Sequence, residues 1–358
     1  LNNFRLILTA LFVFATSMFS YASGEQHHEA AAGTEKFDAN KTILGHIKDA
    51  YDWHFFDIGE GEHKKAVSIP LPVIVYTESQ GLSVFSAAKF DHGHAAYEGY
   101  ELVDGKIVRQ DQASFLDFSI TKNVMSMLIG VALMLIIFLS MAKKYKKNGA
   151  MKAPSGFQNA LESCVIFVRD EVAKPNIGKK YMKFMPLLLT FFFFIWINNT
   201  MLGLLPGAAN FTGNIAVTAA LALVTLIVML FSANKHFWGH LFNPPGVPMG
   251  INVLLTIIEI ISLFIKPIAL MIRLFANILA GHIIILSIIS MIFIFAEMSP
   301  VAGWGFSPVS IVFTLFMYSL ELLVAAIQAF IFTNLTAVFI GQSVEEGHHH
   351  DEAHAVAH

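Results

Sequence analysis

Five ionisable side chains lie inside long apolar stretches of this sequence: Glu259, Lys266, Arg273, His282 and Glu321. Ionisable residues in such surroundings are rare and mark ion pathways by default. Histidine titrates near neutral pH, and an apolar environment favours the neutral form of a carboxyl group, so a His282/Glu321 pair is suited to taking up and releasing protons. Arg273 stays charged and can hold a passing carboxylate in its ionised form. The residue types therefore predict proton transfer.

Helical spacing places the charged residues of the first apolar stretch on one face. At 100° per residue, Glu259, Lys266 and Arg273 fall within about 40° of one another. Asn277 follows Arg273 at i+4 and shares this face, whereas His282 points to nearly the opposite side.

The last apolar stretch carries a second polar face, because Glu321 and Gln328 are separated by seven residues. His282 and Glu321 would meet if the two long helices packed together. The spacing thus predicts a charged stripe centred on Arg273 and a separate titratable pair.

Structural roles compete with these functional interpretations. Lys266 can extend towards a membrane interface, Glu259 can lie at a helix end, and Arg273 can be an ion-pair partner, although no acid accompanies it nearby on its helix. Polar amides between helices often serve only as hydrogen-bonding contacts; this applies to Asn198, Asn199 and Asn214.

The composition indicates a membrane protein. Of 358 residues, 55% are hydrophobic and 14% charged, with mean hydropathy +0.61, whereas soluble domains average about 25% charged residues. The net charge of −3 says nothing about nucleic acid, but the lack of a basic stripe or an RNA-binding motif argues against nucleic-acid binding. One cysteine, Cys164, excludes an internal disulfide framework. No motif for nucleotide or peptide hydrolysis occurs, so we expect no cofactor, no metal and no catalysis by this chain alone.

The N-terminal third is predicted to lie outside the cytoplasm. Residues 1–22 resemble a signal peptide, with an apolar core at Leu6–Phe14 and a small-x-small site ending at Ala22. An uncleaved anchor helix is the alternative. Residues 23–120 form a polar exported segment, for which we expect a helix at Thr42–Phe56 and some strand or loop.

Residues 121–341 are predicted to form an all-α polytopic membrane domain, followed by an acidic, His-rich tail at 342–358. We expect five transmembrane helices plus one amphipathic surface helix at Ser155–Val172. Residues 206–213 and 299–308 are expected to be loops. The expected spans are Val124–Ala142, Phe184–Leu205, Ile215–Phe231, Ile251–Phe295 and Val309–Ile340.

The stretch Ile251–Phe295 is about twice as long as a bilayer is thick. Lysines cluster at 143–152 and 174–183, and Lys235 follows the third span. The positive-inside rule makes these segments cytoplasmic, and the alternation holds only if Ile251–Phe295 crosses once. We therefore expect one long tilted helix rather than a hairpin, with the exported segment outside.

The motif around Arg273 resembles that of a known family. Lys266-Pro267 followed by Arg273-Leu-Phe-Ala-Asn277-Ile-Leu-Ala-Gly281-His282 is similar to the signature of subunit a of the F-type ATP synthase. Gln328-Ala-Phe-Ile-Phe332 resembles the family's final helix, and Leu204-Leu205-Pro206 with Asn214-Ile215-Ala216 its middle hairpin. The resemblance covers about residues 120–341.

The resemblance implies a bacterial inner-membrane stator subunit with five spans, the last two long and tilted against a ring of c subunits. It implies further contacts with membrane lipid, the b-subunit peripheral stalk and, indirectly, the F1 head. Arg273 would face each ring carboxylate. Glu259 would line the cytoplasmic half-channel, and the outer half-channel would be lined by Asn214, His282, Glu321 and Gln328, while Asn277 shares the face of Arg273.

Two departures from the family pattern are informative. Some members carry an acid where His282 stands and a histidine where Glu321 stands, an exchange that a functional pair in contact would permit. Gly203 occupies a position where some members have an acid. The competing hypotheses are a stand-alone secondary transporter, which would usually show internal repeats, and a non-conducting scaffold.

Overall fold

The computed structural model describes residues 38–58, 65–78, 81–93, 95–103, 105–149, 156–203, 209, 211–242 and 248–345. The expected signal peptide and the histidines of the tail lie outside these residues.

The described membrane region is built from helices, which confirms the predicted all-α polytopic fold. The α-helices of the described residues are α1 (Ala39–Ile47), α2 (Lys122–Asn148), α3 (Phe157–Phe167), α4 (Lys174–Ile177), α5 (Tyr181–Ile197), α6 (Ile215–Ser232), α7 (Lys235–Phe242), α8 (Met249–Met298) and α9 (Pro300–Val344). Five helical stretches are long and apolar enough to cross a membrane: Lys122–Lys147, Phe157–Thr200, Ile215–Ser232, Ile251–Met298 and Pro300–Val344.

Helix α8 confirms the prediction of a single long helix. Its 50 residues run without interruption past Pro267. At 1.5 Å per residue it is about 75 Å long, more than twice the thickness of a bilayer core. A helix of this length must be steeply inclined if its apolar part is to stay within the membrane.

The predicted loop at 299–308 is wrong, because α9 begins at Pro300 and only Ser299 separates it from α8. Proline suits the first turn of a helix, where its missing N–H has no partner to lose. The Ser299 side chain accepts a hydrogen bond from the Ala302 backbone N–H, as an N-cap does. Gly303 lies against Ala296 of α8, which lets α9 turn back directly onto α8.

The predicted surface helix at Ser155–Val172 begins at Phe157 and continues through a π-helical turn, Val168–Ala173, into α4. Leu161, Val168 and Val172 of its apolar face are buried, and Cys164 packs against the main core. Gly178, with φ +67°, separates this stretch from α5. Its location at the membrane surface stays a prediction.

Aromatic side chains hold the helices together. Phe191 of α5 lies edge-on to Phe332 of α9, with ring centroids 5.4 Å apart, and Phe138 of α2 meets Phe193 at 4.9 Å. Such pairs add to the burial of apolar area. The three helices therefore form one core, against which α8 packs.

Gly341 marks the closest helix contact and gives a stability prediction. A β-carbon at Gly341 would lie 1.9 Å from the backbone oxygen of Asn176 in α4. We expect Gly341→Ala to separate α9 from α4 at a cost of about 1–3 kcal/mol, because backbone cannot yield as a flexible side chain can. A lowered thermal unfolding temperature of the detergent-purified complex would show it.

Gly305→Ala is the matched control. It lies in the same helix with no atom near the position of its β-carbon, and alanine favours helix by up to about 1 kcal/mol. An equal loss of thermal stability in both variants would contradict the steric explanation.

The described part of residues 23–120 contains strands as well as α1. They are β1 (Asp52–Ile58), β2 (Lys65–Pro70), β3 (Pro72–Thr77), β4 (Gly81–Ser86), β5 (Tyr100–Val103), β6 (Lys106–Arg109) and β7 (Leu116–Asp117). Antiparallel pairing gives the sheets β1-β2, β4-β3-β7 and β5-β6. The predicted helix at Thr42–Phe56 is right only to Ile47; Trp53, Phe55 and Phe56 belong to β1, where aromatic residues favour a strand.

The segment before α2 is attached to the start of that helix by polar contacts. Lys122 Nζ donates to the His46 carbonyl at 2.9 Å, and the Asp49 carboxylate accepts from the Asn123 backbone N–H at 3.0 Å. Burial raises the pKa of Asp49 above its usual range. Helix α1 also packs against α8, so this segment joins the first span to the fourth.

Candidate functional site

His282 of α8 and Glu321 of α9 are in contact, as helical spacing predicted. The His282 Nδ1 and Glu321 Oε1 atoms are 2.5 Å apart, with side-chain exposures of 15% and 6%. Gly281 provides the space, because a β-carbon there would lie 3.1 Å from Glu321 Oε1. Gln328, seven residues further along α9, is also buried.

The two side chains are close, but they are not aligned as a hydrogen bond. Neither His282 Nδ1 nor Glu321 Oε1 has a well-aligned hydrogen-bond partner among the described residues. An imidazole and a carboxyl group within reach of each other are the residue types that transfer protons.

Arg273 lies on a different face of α8 and is exposed, as is Asn277 one turn further on. The guanidinium makes no ion pair or hydrogen bond with any side chain that the structure describes. The neighbouring exposed positions are apolar, including Ile268 and Ile272. A permanent charge on an apolar helix surface is costly without a partner, and no described side chain supplies one.

Glu259 and Lys266 lie further towards the start of α8, beside a cavity of about 410 Å³ between α7, α8 and the end of α9. The Glu259 carboxylate is 3.8 Å from Nδ1 of His240 in α7. Lys266 Nζ donates to Gln342 Oε1 at 2.9 Å and lies over the Phe339 ring. Lys266 therefore makes a contact between α8 and α9, which neither the charged-stripe nor the interface interpretation predicted.

Arg273 separates the two polar groups along α8. Arg273 follows Lys266 by seven positions and precedes His282 by nine, which corresponds to about 10 Å and about 14 Å of helix rise. The Glu259 cavity and the His282/Glu321 pair therefore do not touch, and the exposed arginine stands between them on the helix surface.

The remaining polar candidates have structural partners. The Asn214 side chain accepts from the Ala216 backbone N–H at 2.9 Å and caps α6. Asn199 accepts from Thr212 at 2.5 Å, and Asn334 accepts from Asn176 at 2.8 Å. The Asn334–Asn176 contact joins α9 to α4, whereas Asn214 bonds within its own helix, and a role of Asn214 in a proton pathway stays a prediction.

Sequence reasoning missed His240, Gln342 and Gly281. Gln328 follows Glu321 by seven positions, and Gln342 follows Gln328 by fourteen. All three therefore lie on one helix face, which could have been predicted from the sequence. His236 and His240 follow the third span at helical spacing, which also could have been noticed. Only the fold reveals the space that Gly281 leaves.

Comparison with known proteins agrees with this geometry. A family model described as "ATP synthase A chain" matches residues 124–341, more than half of the chain. A second model, described as a domain of unknown function, matches residues 42–125.

Curated relatives point the same way. ATP synthase subunit a of Chloroherpeton thalassium is 45% identical over 246 residues, 67% of this chain and 71% of the relative. Subunit a of Chlorobium phaeobacteroides (strain DSM 266) is 37% identical over 341 residues, which cover 94% of this chain and 84% of the relative. Subunit a of Myxococcus xanthus is 41% identical over 243 residues, which cover 66% of this chain and 77% of the relative. The chain therefore belongs to the ATP synthase A chain family, that of subunit a of F-type ATP synthases.

Proposed function

We propose that this chain is the proton-channel subunit of the stator, which carries protons to and from the carboxylates of a rotating c ring. The exposed, unpartnered Arg273 is the observation that carries the proposal. An arginine on an apolar helix face requires a carboxylate, and a ring of c subunits supplies one at each step.

The path has two halves that do not meet. Protons enter from outside along Asn214 and Gln328, pass the His282/Glu321 pair and reach a ring carboxylate. After rotation they leave through the cavity beside Glu259. Because Arg273 lies between the halves, a proton crosses only when the ring carries it.

Arg273 has two tasks in this cycle. Its charge favours the ionised form of each arriving carboxylate, so the proton is released before the carboxylate passes. The same charge repels a proton that would move directly from one half-path to the other. Protons rather than sodium ions are the expected cargo, because a histidine–carboxylate pair is suited to titration.

The surface around Arg273 supports a ring partner. Ala269, Ala276 and Ala280 are exposed on the same side of α8, and small side chains allow another helix to approach closely. We place the complex in the bacterial inner membrane, with the exported segment outside and the C-terminus in the cytoplasm. The b-subunit stalk and, through it, the F1 head complete the assembly.

Photocross-linking tests both the partner and the function. In a Cys164→Ser background, Ala276→Cys carrying a benzophenone maleimide should cross-link to a small ring subunit in the purified complex. Illumination should also block ATP-driven acidification of reconstituted vesicles, because the ring is then fixed to the stator.

Ile136→Cys is the matched control. Ile136 is 63% exposed on α2, away from α8, so its adducts should leave acidification unchanged. If Ala276→Cys formed no ring adduct, or if its adduct left acidification intact, the proposed function would be rejected.

A further inference from the structure

A cavity of about 470 Å³ lies where α5 begins and where α6 and α9 end. Lys179, Lys180 and Lys183 line it, together with Ser232 and Asn234. None of its lining residues is acidic. The cavity is separate from Arg273, from the His282/Glu321 pair and from the cavity beside Glu259.

Two of the three lysines at this cavity are free of ion pairs with the described residues. Lys179 and Lys183 are exposed and form no ion pair with any described residue. Helix α5 begins at Tyr181 with no side-chain cap, and the positive end of a 17-residue helix adds to the field of the lysines. Lys179, Lys183 and the positive end of α5 all favour the binding of a phosphate-sized anion.

The opposing helix end is screened by Asn234. Its backbone N–H donates to the Ser343 carbonyl at 2.9 Å, and its Nδ2 donates to the Val344 carbonyl at 2.8 Å. Two of the last carbonyl groups of α9, which would otherwise repel an anion, therefore accept hydrogen bonds. The Asn234 side-chain oxygen is left as the acceptor for a hydroxyl group.

Apolar surface adjoins the basic wall. Met182, Phe184 and Val344 line the cavity, and Met182 is 63% exposed. Phe231, next to the lining residue Ser232, is 89% exposed. A free phosphate ion would use only the lysines, whereas a phospholipid has an anionic headgroup for the lysines and acyl chains for the apolar surface.

We propose that this cavity binds the headgroup of an anionic phospholipid, with its acyl chains along Met182 and Phe231. Lysines that only set membrane orientation need not converge on one cavity. The lipid would fill the junction of three helix ends and stabilise the way α5, α6 and α9 meet.

The test compares two triple variants of the purified complex. Lys179→Gln/Lys180→Gln/Lys183→Gln removes the basic wall, and Lys143→Gln/Lys144→Gln/Lys146→Gln removes equal charge from the exposed end of α2. Each complex is exchanged into mixed phosphatidylglycerol and phosphatidylcholine of identical chains, and retained lipid is counted by native mass spectrometry. The cavity variant should retain about tenfold less phosphatidylglycerol, because each lysine contributes to headgroup attraction. The α2 variant should match the parent.

Three outcomes would overturn the proposal. Equal losses in the two variants would indicate attraction by net charge alone. Equal retention of the two lipids by the parent would show no preference for an anionic headgroup. If inorganic phosphate displaced the phosphatidylglycerol at low millimolar concentration, the site would be one for phosphate and not for lipid. Subunit composition in the same spectra shows whether each variant complex is assembled.

Discussion

Replacing Arg273 with alanine should abolish ATP-driven proton transport by the reconstituted complex. The guanidinium is the only cation on its exposed face of α8 between Lys266 and the end of that helix. Without it, an arriving ring carboxylate keeps its proton, and the two half-paths lose the barrier between them. Removing one group that stabilises developing charge costs about 100-fold or more in rate, so acidification should fall below detection.

Two further variants distinguish the loss of the positive charge from the loss of side-chain volume: Arg273→Lys and Ile272→Ala. Lysine keeps a charge but lacks the planar fork of donors that matches a carboxylate, so it should restore only part of the activity. Ile272 is 50% exposed beside Arg273, and its replacement should leave pumping near the parent level. Normal acidification by the Arg273→Ala complex would refute the role proposed for this arginine.

Helical spacing predicted the best-defined part of the site. The contact between His282 and Glu321 was predicted for the case that the two long apolar helices pack together, and the structure shows that they do. The 50-residue length of α8 followed from charge alternation, because only one crossing keeps the lysine-rich segments on the same side. Length and periodicity are properties of the chain itself, and so they can be read before any fold is known.

Other features depend on contacts between distant segments. The residues 299–308 resemble a loop by their Gly, Pro and Ser content, and they are helical because Gly303 packs on Ala296. The proximity of Glu259 to His240 arises where α7 folds back beside α8. Tertiary packing overrides local preference in such places, so neither feature was predicted.

Neutralising Glu321 is expected to have the second-largest effect on proton transport. Glu321→Gln keeps the shape of the side chain but leaves nothing to accept and release a proton beside His282. Loss of a positioned acid or base costs about 100-fold, and ATP-driven acidification should fall accordingly. His282→Ala should reduce it as well, because the carboxyl group then loses the neighbour 2.5 Å away.

The exchange His282→Glu/Glu321→His distinguishes a proton relay from a packing contact. It returns one imidazole and one carboxyl group to the same enclosed space, so it should recover transport to within about tenfold of the parent if only the shared proton matters. It should also shift the pH dependence of pumping, since each group now lies in the other's surroundings. A purely structural contact would show lost stability with an unchanged pH profile. If the exchanged complex were stable yet as inactive as Glu321→Gln, the pair would not be a relay, and the uptake path would have to run elsewhere.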